Sequence, residues 1–239
     1  MSRVIRNGER LKGQVCVVSG IDGHIPHEIA RRFQEEGAHV FLAGATSLNH
    51  DGVVELPHDV TSEDSWRSLI GDVLGQTGRL NVLVNAATPA DGRCIGNTSR
   101  VQLERLSVTM VEGAALGCKH ALPPMRKAAT PGAIIMVAPT EGLIGTPMNL
   151  GYAVAGGAIV ALTRSIAIHC FAKSYDVRCN ALLTNCSASA GDQALQAVGA
   201  AAVYLASSES GYVNGSSLVL DGGSTMLMLG DGDSEHRFE

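Results

Sequence analysis

Short apolar runs alternate along the chain with segments of helical periodicity. Buried strands are typically runs of about four to eight apolar residues, whereas helices show apolar positions at three- and four-residue spacing. This pattern predicts strands over Val15–Ser19, Val40–Ala43, Val53–Leu56, Asn81–Val84, Ala133–Ala138, Val177–Leu183 and Ser217–Leu220. It predicts helices over Pro26–Glu36, Thr61–Gly75, Val101–Arg126 and Gly151–Phe171.

Strands that alternate with helices predict an α/β protein. Parallel strands need crossover connections, and the crossover helices cover both faces of the sheet. We therefore expect a single Rossmann-like domain over residues 1–230. Its doubly wound parallel sheet should have about seven strands with helices on both faces. Residues 231–239 form an acidic tail that we expect to be disordered.

Composition and net charge limit the binding partners and the cellular compartment that we expect for this protein. The 239 residues are 45% hydrophobic, enough for one sizeable core, and the net charge of -5 gives no electrostatic case for nucleic acid. We expect no membrane span and no signal peptide. The six cysteines show no paired spacing, so we expect a reducing cytoplasm.

Six segments carry a resemblance to a known family. They are Ser19-Gly20, His58-Asp59-Val60-Thr61, Leu83-Val84-Asn85-Ala86-Ala87, Leu162-Thr163-Arg164-Ser165, Val177-Arg178-Cys179-Asn180-Ala181 and Leu220-Asp221-Gly222-Gly223. Their order and spacing, over about residues 11 to 223, resemble the short-chain dehydrogenase/reductase family. The resemblance implies a Rossmann-like fold and an ancestral NAD(P)-dependent activity.

The resemblance assigns cofactor contacts, which the sequence only partly keeps. The implied dinucleotide contacts are Ser19, Gly20, Asp59, Val60 and Asn85. In the nucleotide loop, His24 and Pro26 replace two glycines of the family pattern. Glycines there allow close approach of the pyrophosphate, so we expect weak or absent binding of NAD or NADP. The end of the second predicted strand, Ala43-Gly44-Ala45-Thr46, carries no charge that would select between them.

Three of four catalytic positions implied by the resemblance have changed. Tyr152 is kept, but Gly156 stands at the lysine, Pro139 at the serine and Met110 at the asparagine. A tyrosine without a neighbouring cation is a poor base at neutral pH. Ordinary hydride transfer is therefore not expected, and Tyr152 is either an inherited pocket residue or a residual acid.

One acid offers a replacement for the missing chemistry. Glu141 follows Pro139 by two residues and is a candidate base, with a solvated loop acid as the plainer interpretation. A substrate pocket would be apolar and formed by Met110, Pro139, Leu143, Ile144 and Met148. His24 and His27 lie one helical turn apart without a further ligand, so we expect no metal site.

Three functions are compatible with this sequence. The first is non-redox chemistry, such as cyclisation, isomerisation, dehydration or C–C cleavage of a small hydrophobic carbonyl compound. The second is a non-catalytic subunit that pairs with a related enzyme, and the third is a divergent NAD(P)-dependent oxidoreductase. In every case, the small residues of the two long central helices predict a homodimer or homotetramer formed through them, as the family resemblance implies.

Overall fold

Seven parallel strands form one sheet in the computed structural model, which describes residues 8–21, 23–44, 51–89, 93–128, 130–185 and 191–227. The strands are β1 (Val15–Ser19), β2 (His39–Ala43), β3 (Val53–Leu56), β4 (Val82–Asn85), β5 (Gly132–Pro139), β6 (Val177–Thr184) and β7 (Ser217–Leu220). Their order in the sheet is β3-β2-β1-β4-β5-β6-β7. The order reverses between β1 and β4, and ligands bind at such a switch point in doubly wound sheets.

Helices cover both faces of this sheet. They are α1 (His24–Glu35), α2 (Glu63–Thr77), α3 (Arg100–Leu106), α4 (Gly113–Met125), α5 (Leu150–Ala172), α6 (Gly191–Ala206) and α7 (Ser224–Leu227). One apolar core lies under α2, α4 and α5, and contains Phe41, Trp66 and Ile159. The other lies under α1 and α6, and contains Phe33 and Val203. The α/β fold with a parallel seven-stranded sheet is therefore confirmed, while the acidic tail lies outside the described residues.

The predicted single helix over Val101–Arg126 is wrong in its middle. A π-helical segment, Ser107–Glu112, separates α3 from α4. The bond that defines it runs from Gly113 N–H to the carbonyl of Val108, five residues earlier. Gly113 packs so closely that a β-carbon on it would lie 2.9 Å from the carbonyl oxygen of Val60. The wider turn and the glycine together bring this helix against the end of the sheet.

Helix α5 is apolar along much of its length. By length and composition, Leu150–Ala172 could cross a membrane, since its most apolar 18 residues have a mean hydropathy of 1.6. Of these 18 residues, 39% are buried inside the protein. Its inner side packs in the core through Ile159, Val160 and Cys170. A core helix of a soluble α/β domain passes the same test, so this finding is weak evidence for a membrane span.

Candidate functional site

The turn between β1 and α1 is closed by a proline. A β-carbon on Gly20 would lie 2.4 Å from Cγ of Pro26, and both residues are buried. Gly20 is therefore required for packing α1 against β1, whatever its role toward a ligand. The Pro26 ring thus fills the contact between strand and helix. His24, at the first position of α1, is exposed.

The end of β2 leaves no room for a side chain. Gly44 has a φ of +83°, and a β-carbon there would lie 2.6 Å from the carbonyl oxygen of Gly20 and 2.8 Å from that of His58. An acid for the ribose hydroxyls could not stand at this position without moving the backbone. Ala45 and Thr46, which the sequence analysis included in this segment, lie outside the described residues.

Asp59 and Val60 are engaged in local structure. The Asp59 carboxylate accepts hydrogen bonds from the Thr61 hydroxyl at 2.7 Å and the Thr61 backbone N–H at 2.9 Å. These bonds hold the pKa of Asp59 below its usual range, with the side-chain bond as the main cause. The Val60 carbonyl accepts from the indole N–H of Trp66 at 2.9 Å. Both residues thus have structural roles that explain them without a cofactor.

Four predicted site residues do meet at the switch point. A small cavity of about 10 Å³ lies at the ends of β1 and β4, beside the π-helical segment, with room for about one water molecule. It is lined by Ser19, Val60, Trp66, Asn85, Ala87, Thr109, Met110, Gly113, Ala114, Val137 and Ile159. The Asn85 amide donates to two sulfurs, Met136 at 3.3 Å and Cys118 at 3.6 Å. Sulfur is a weak acceptor, so Asn85 is buried in a largely apolar environment.

These residues do not fit a dinucleotide well. At the turn, the proline lacks the N–H that a phosphate would use, and its ring lies against Gly20. The end of β2 has no acid, and Oδ1 of Asp59 already accepts two hydrogen bonds from Thr61. The N-terminal turn of α1 is the part of the family's phosphate site that remains.

Tyr152 is attached to the loop that follows β4. Its hydroxyl donates to the carbonyl oxygen of Pro89 at 2.7 Å, and its ring packs in a cluster with Leu106, Met110 and Ala155. Met110 is 3% exposed and thus fills the position at which the family resemblance implies an asparagine. The tyrosine therefore has a polar partner and an apolar environment that are both supplied by the protein.

The position of the missing lysine is filled by backbone. A β-carbon on Gly156 would lie 3.0 Å from Cα and N of Gly142 and 3.1 Å from the carbonyl oxygen of Pro139. A β-carbon on Gly142 would be only 2.4 Å from the carbonyl carbon of Gly156. The turn after β5 and helix α5 thus contact each other backbone to backbone. Any side chain at position 156 must push backbone atoms aside.

Glu141 is held by one side chain and has one unpartnered oxygen. Its Oε1 accepts from the amide of Asn149 at 3.0 Å. Its Oε2 is buried and has no hydrogen-bond donor among the residues that the structure describes. Asn149 itself adopts a left-handed backbone with φ 60°, at the residue before α5. The carboxylate is thus fixed by Asn149, and its Oε2 is enclosed by the protein.

The residues of the predicted apolar pocket differ in their burial. Met110 and Pro139 are buried, whereas Leu143 is 45% and Met148 is 50% exposed. Ile144 is half-buried between them. Leu143 and Met148 therefore offer exposed apolar surface close in sequence to Glu141, and neither lines the small cavity around Met110.

Two histidines near the site have structural explanations. His27 is buried, with its Nδ1 2.8 Å from the carbonyl oxygen of Gly23. His58 lies edge-on to Trp66 with Nδ1 2.9 Å from the Ser65 hydroxyl, and burial lowers its pKa to about 4. Within the described ranges, no group of three His, Cys, Asp or Glu side chains could hold a metal ion.

Sequence reasoning missed several residues that shape this site. Pro89 contributes its backbone carbonyl and Asn149 its side-chain amide. Neither residue belongs to a sequence motif that would have identified it. Gly142 is a partner of Gly156 only because β5 and α5 are adjacent in space. Trp66 could have been identified as a site residue, because it is the only tryptophan and follows the start of a predicted helix by about one turn.

A doubly wound sheet, a tyrosine on the helix after β5 and an asparagine at the end of β4 define the class of protein. A family model described as "Enoyl-(Acyl carrier protein) reductase" matches residues 21–190. The chain belongs to the short-chain dehydrogenase/reductase family, as the resemblance of its motifs implied.

Curated relatives and solved structures agree with this assignment. The chain is 28% identical to the NADP-dependent (R)-specific alcohol dehydrogenase of Lentilactobacillus kefiri, covering 91% of this chain and 98% of the relative. It is 30% identical to the 3-beta-hydroxysteroid dehydrogenase of Comamonas testosteroni, covering 72% and 70%. The crystal structure of a short-chain dehydrogenase from Mycobacterium smegmatis matches with a TM-score of 0.79 and 26% identity, over 92% of this chain and 97% of that one.

Proposed function

We propose that this protein has lost ordinary NAD(P)-dependent dehydrogenase activity and acts as a non-catalytic subunit built on the short-chain dehydrogenase/reductase fold. The observation that carries the proposal is the hydrogen bond from the Tyr152 hydroxyl to the Pro89 carbonyl. A general acid must reach the substrate oxygen, and this hydroxyl is committed to the protein's own backbone. We also propose that this protein binds NAD and NADP with a Kd above about 1 mM.

The environment of Tyr152 supports the same proposal. Position 156 carries no cation that could assist proton transfer by the tyrosine. Position 139 carries no hydroxyl that could donate to a substrate oxygen. The close contact of Gly156 with Gly142 means that these losses are built into the packing of α5. A protein with this packing contributes structure and surface rather than hydride transfer.

The surface that such a subunit would use is the outer side of α5. Val154, Ile168 and Phe171 expose 52%, 61% and 75% of their surface there. Exposed apolar patches on folded proteins commonly mark protein–protein contacts. The proposed partner is a second subunit of the same fold, in a homodimer or homotetramer or in a pair with an active relative. The five described free cysteines fit a reducing cytoplasm as the proposed location.

Glu141 favours a second candidate function, non-redox chemistry on a small hydrophobic carbonyl compound. Its buried Oε2 has no donor in the described part of the chain, and Leu143 and Met148 offer apolar surface beside it. Such a carboxylate could accept a proton from a carbon next to a carbonyl. Glu141→Gln keeps the shape and removes proton acceptance, so it would abolish a turnover that depends on this base and leave a purely structural role intact.

The names of the relatives favour a third candidate, a divergent NAD(P)-dependent oxidoreductase. Several relatives are named as dehydrogenases, and one of them as NADP-dependent. The test of the proposal is an assay for formation of reduced nicotinamide with secondary and cyclic alcohols and both cofactors. We expect no activity above that of Tyr152→Phe. Turnover that disappears in Tyr152→Phe would overturn the proposed function and establish the third candidate.

A further inference from the structure

Three buried polar side chains line the small cavity at the ends of β1 and β4. Ser19, Asn85 and Thr109 are 1%, 7% and 8% exposed, so each is more than nine-tenths buried. The hydroxyls of Ser19 and Thr109 have no hydrogen-bond partner among the residues that the structure describes. Buried polar groups in folded proteins are nearly always paired, either with the protein or with ordered water. Two unpaired hydroxyls at one cavity therefore indicate a polar ligand.

The side-chain amide of Asn85 is only half satisfied by the protein. Its Nδ2 donates to Met136 Sδ at 3.3 Å and to Cys118 Sγ at 3.6 Å, whereas its Oδ1 accepts no hydrogen bond within the described ranges. A β-carbon on Gly117 would lie 2.8 Å from this oxygen, so the glycine leaves it uncovered on the side of α4. A ligand that serves all three groups must therefore donate a hydrogen bond to Oδ1 and also bond to hydroxyls.

The size of the cavity limits the ligand to a very small molecule. Its volume of about 10 Å³ is close to the space that the centre of one water molecule requires, and every residue that lines it except Ala87 is buried. Buried waters typically make about three hydrogen bonds to polar groups that otherwise lack a partner. A ribose or a nucleobase is much larger, and would fit only if the lining residues moved. The number of polar groups and the volume thus both match one water molecule.

We propose that this cavity binds one water molecule, held by the hydroxyls of Ser19 and Thr109 and by Oδ1 of Asn85. The water joins the ends of β1 and β4 to the π-helical segment between α3 and α4. Ser19 and Asn85 thus have a role within the protein itself, although the family resemblance implies that they contact a dinucleotide. Of the four catalytic positions, only Met110 lines the cavity, and its thioether is a weak hydrogen-bond acceptor. The water is compatible with either outcome of the alcohol assay, so failure of this inference is distinguishable from failure of the proposed function.

Thr109→Val tests for the water through the sign of a stability change. Valine has nearly the shape of threonine but no hydroxyl, and the two residues have similar helix propensities. With the water bound, the variant loses one hydrogen bond to it, so the midpoint of thermal unfolding should fall by about 2–4 °C. In a dry cavity the same change would remove an unpaired buried hydroxyl, and the midpoint would rise.

Crystal structures of the native chain, Thr109→Ser and Thr109→Val locate the water directly. The native chain and the matched control Thr109→Ser keep the hydroxyl, so both should show one density peak about 2.5–3.2 Å from that hydroxyl and from Asn85 Oδ1. The peak should weaken or disappear in Thr109→Val. The inference is overturned by a native cavity without density, by an undiminished peak in Thr109→Val, or by an unfolding midpoint for Thr109→Val that equals or exceeds that of the native chain. The native crystal decides alone if Thr109→Val does not fold.

Discussion

The hydroxyl of Tyr152 donates a hydrogen bond to the carbonyl oxygen of Pro89 over 2.7 Å. This bond joins the first turn of α5 to the loop after β4. A second bond, from the Leu150 N–H to the Arg93 carbonyl at 3.0 Å, joins the same two segments. The residue that the family uses for proton transfer here joins α5 to the loop after β4.

Removing this hydroxyl should therefore reduce stability. Tyr152→Phe keeps the ring against Met110 but leaves the Pro89 carbonyl without this donor, which costs about 1–2 kcal/mol of unfolding free energy. Urea unfolding measures the change. Tyr212→Phe is the matched control, since the Tyr212 side chain is fully exposed and its loss should change stability by less than about 0.5 kcal/mol. Equal stabilities for the two variants would mean that the bond to Pro89 contributes nothing.

Helix α5 should respond oppositely to alanine at two adjacent glycines. A β-carbon at Gly156 meets Gly142 and Pro139 backbone at about 3 Å, whereas one at Gly157 meets the Gly142 carbonyl oxygen at an ordinary 3.7 Å. Gly157→Ala should stabilise by about 0.5–1 kcal/mol through helix propensity. Gly156→Ala should instead destabilise by about 1–2 kcal/mol, because overpacking outweighs that gain. Thermal unfolding of the pair checks the difference in sign, and two stabilised variants would contradict the close contact.

The same contact predicts the outcome of restoring the family's lysine. Gly156→Lys should give a destabilised protein without dehydrogenase activity, because the new side chain must displace backbone and no hydroxyl is present at Pro139. Activity with alcohols and either cofactor is the measurement. Recovery of turnover in this single variant would show that the loss of lysine alone inactivates the site.

His58 predicts a pH dependence of stability. Its folded pKa of about 4 lies below the ordinary value of 6.5, because burial disfavours the charged ring. The unfolded chain therefore takes up the proton first as pH falls, so stability decreases between about pH 6.5 and 4 and then levels off below pH 4. With a discount for the partial exposure of the ring, the loss is on the order of 2 kcal/mol.

His58→Phe isolates this contribution. The new ring keeps the packing on Trp66 but cannot take up a proton. Its stability relative to the native chain should therefore rise as pH falls through this window. Denaturant unfolding at several pH values measures the difference. Parallel curves for the two proteins would mean that His58 titrates normally in the folded state.

The sequence was a good guide to the fold and a poor guide to the geometry of the site. The strands could be predicted because buried parallel strands are continuous apolar runs, as in Ala133–Ala138. The π-helical segment around Met110 could not, because its cause is the contact between Gly113 and the distant Val60 carbonyl. The departures from the family pattern at Pro139 and Gly156 could be identified from residue types alone. The backbone contact of Gly156 with Gly142 and the hydrogen bond from Tyr152 to Pro89 could not be predicted, because only the fold brings these residues together.

The nucleotide turn gives a further prediction. His24→Gly together with Pro26→Gly restores a backbone N–H and removes the side chains that differ from the family pattern. Some dinucleotide binding should return if this turn is the whole cause of its loss. The double variant should also be less stable than the native chain, because the Pro26 ring packs against Gly20. Unchanged, undetectable binding in a folded double variant would move the cause to the end of β2 and the Asp59 segment.

Calorimetric titration of the native protein with NAD⁺, NADH, NADP⁺ and NADPH tests the central claim most directly. We expect no saturable binding up to a Kd of about 1 mM, which corresponds to only about 4 kcal/mol of binding free energy. Three features support this expectation. Pro26 closes the turn after β1, the end of β2 has no acid, and Gly156 is buried against backbone. Saturable binding of any of the four with a Kd below about 0.1 mM would contradict it, and would return this chain to the NAD(P)-dependent oxidoreductases.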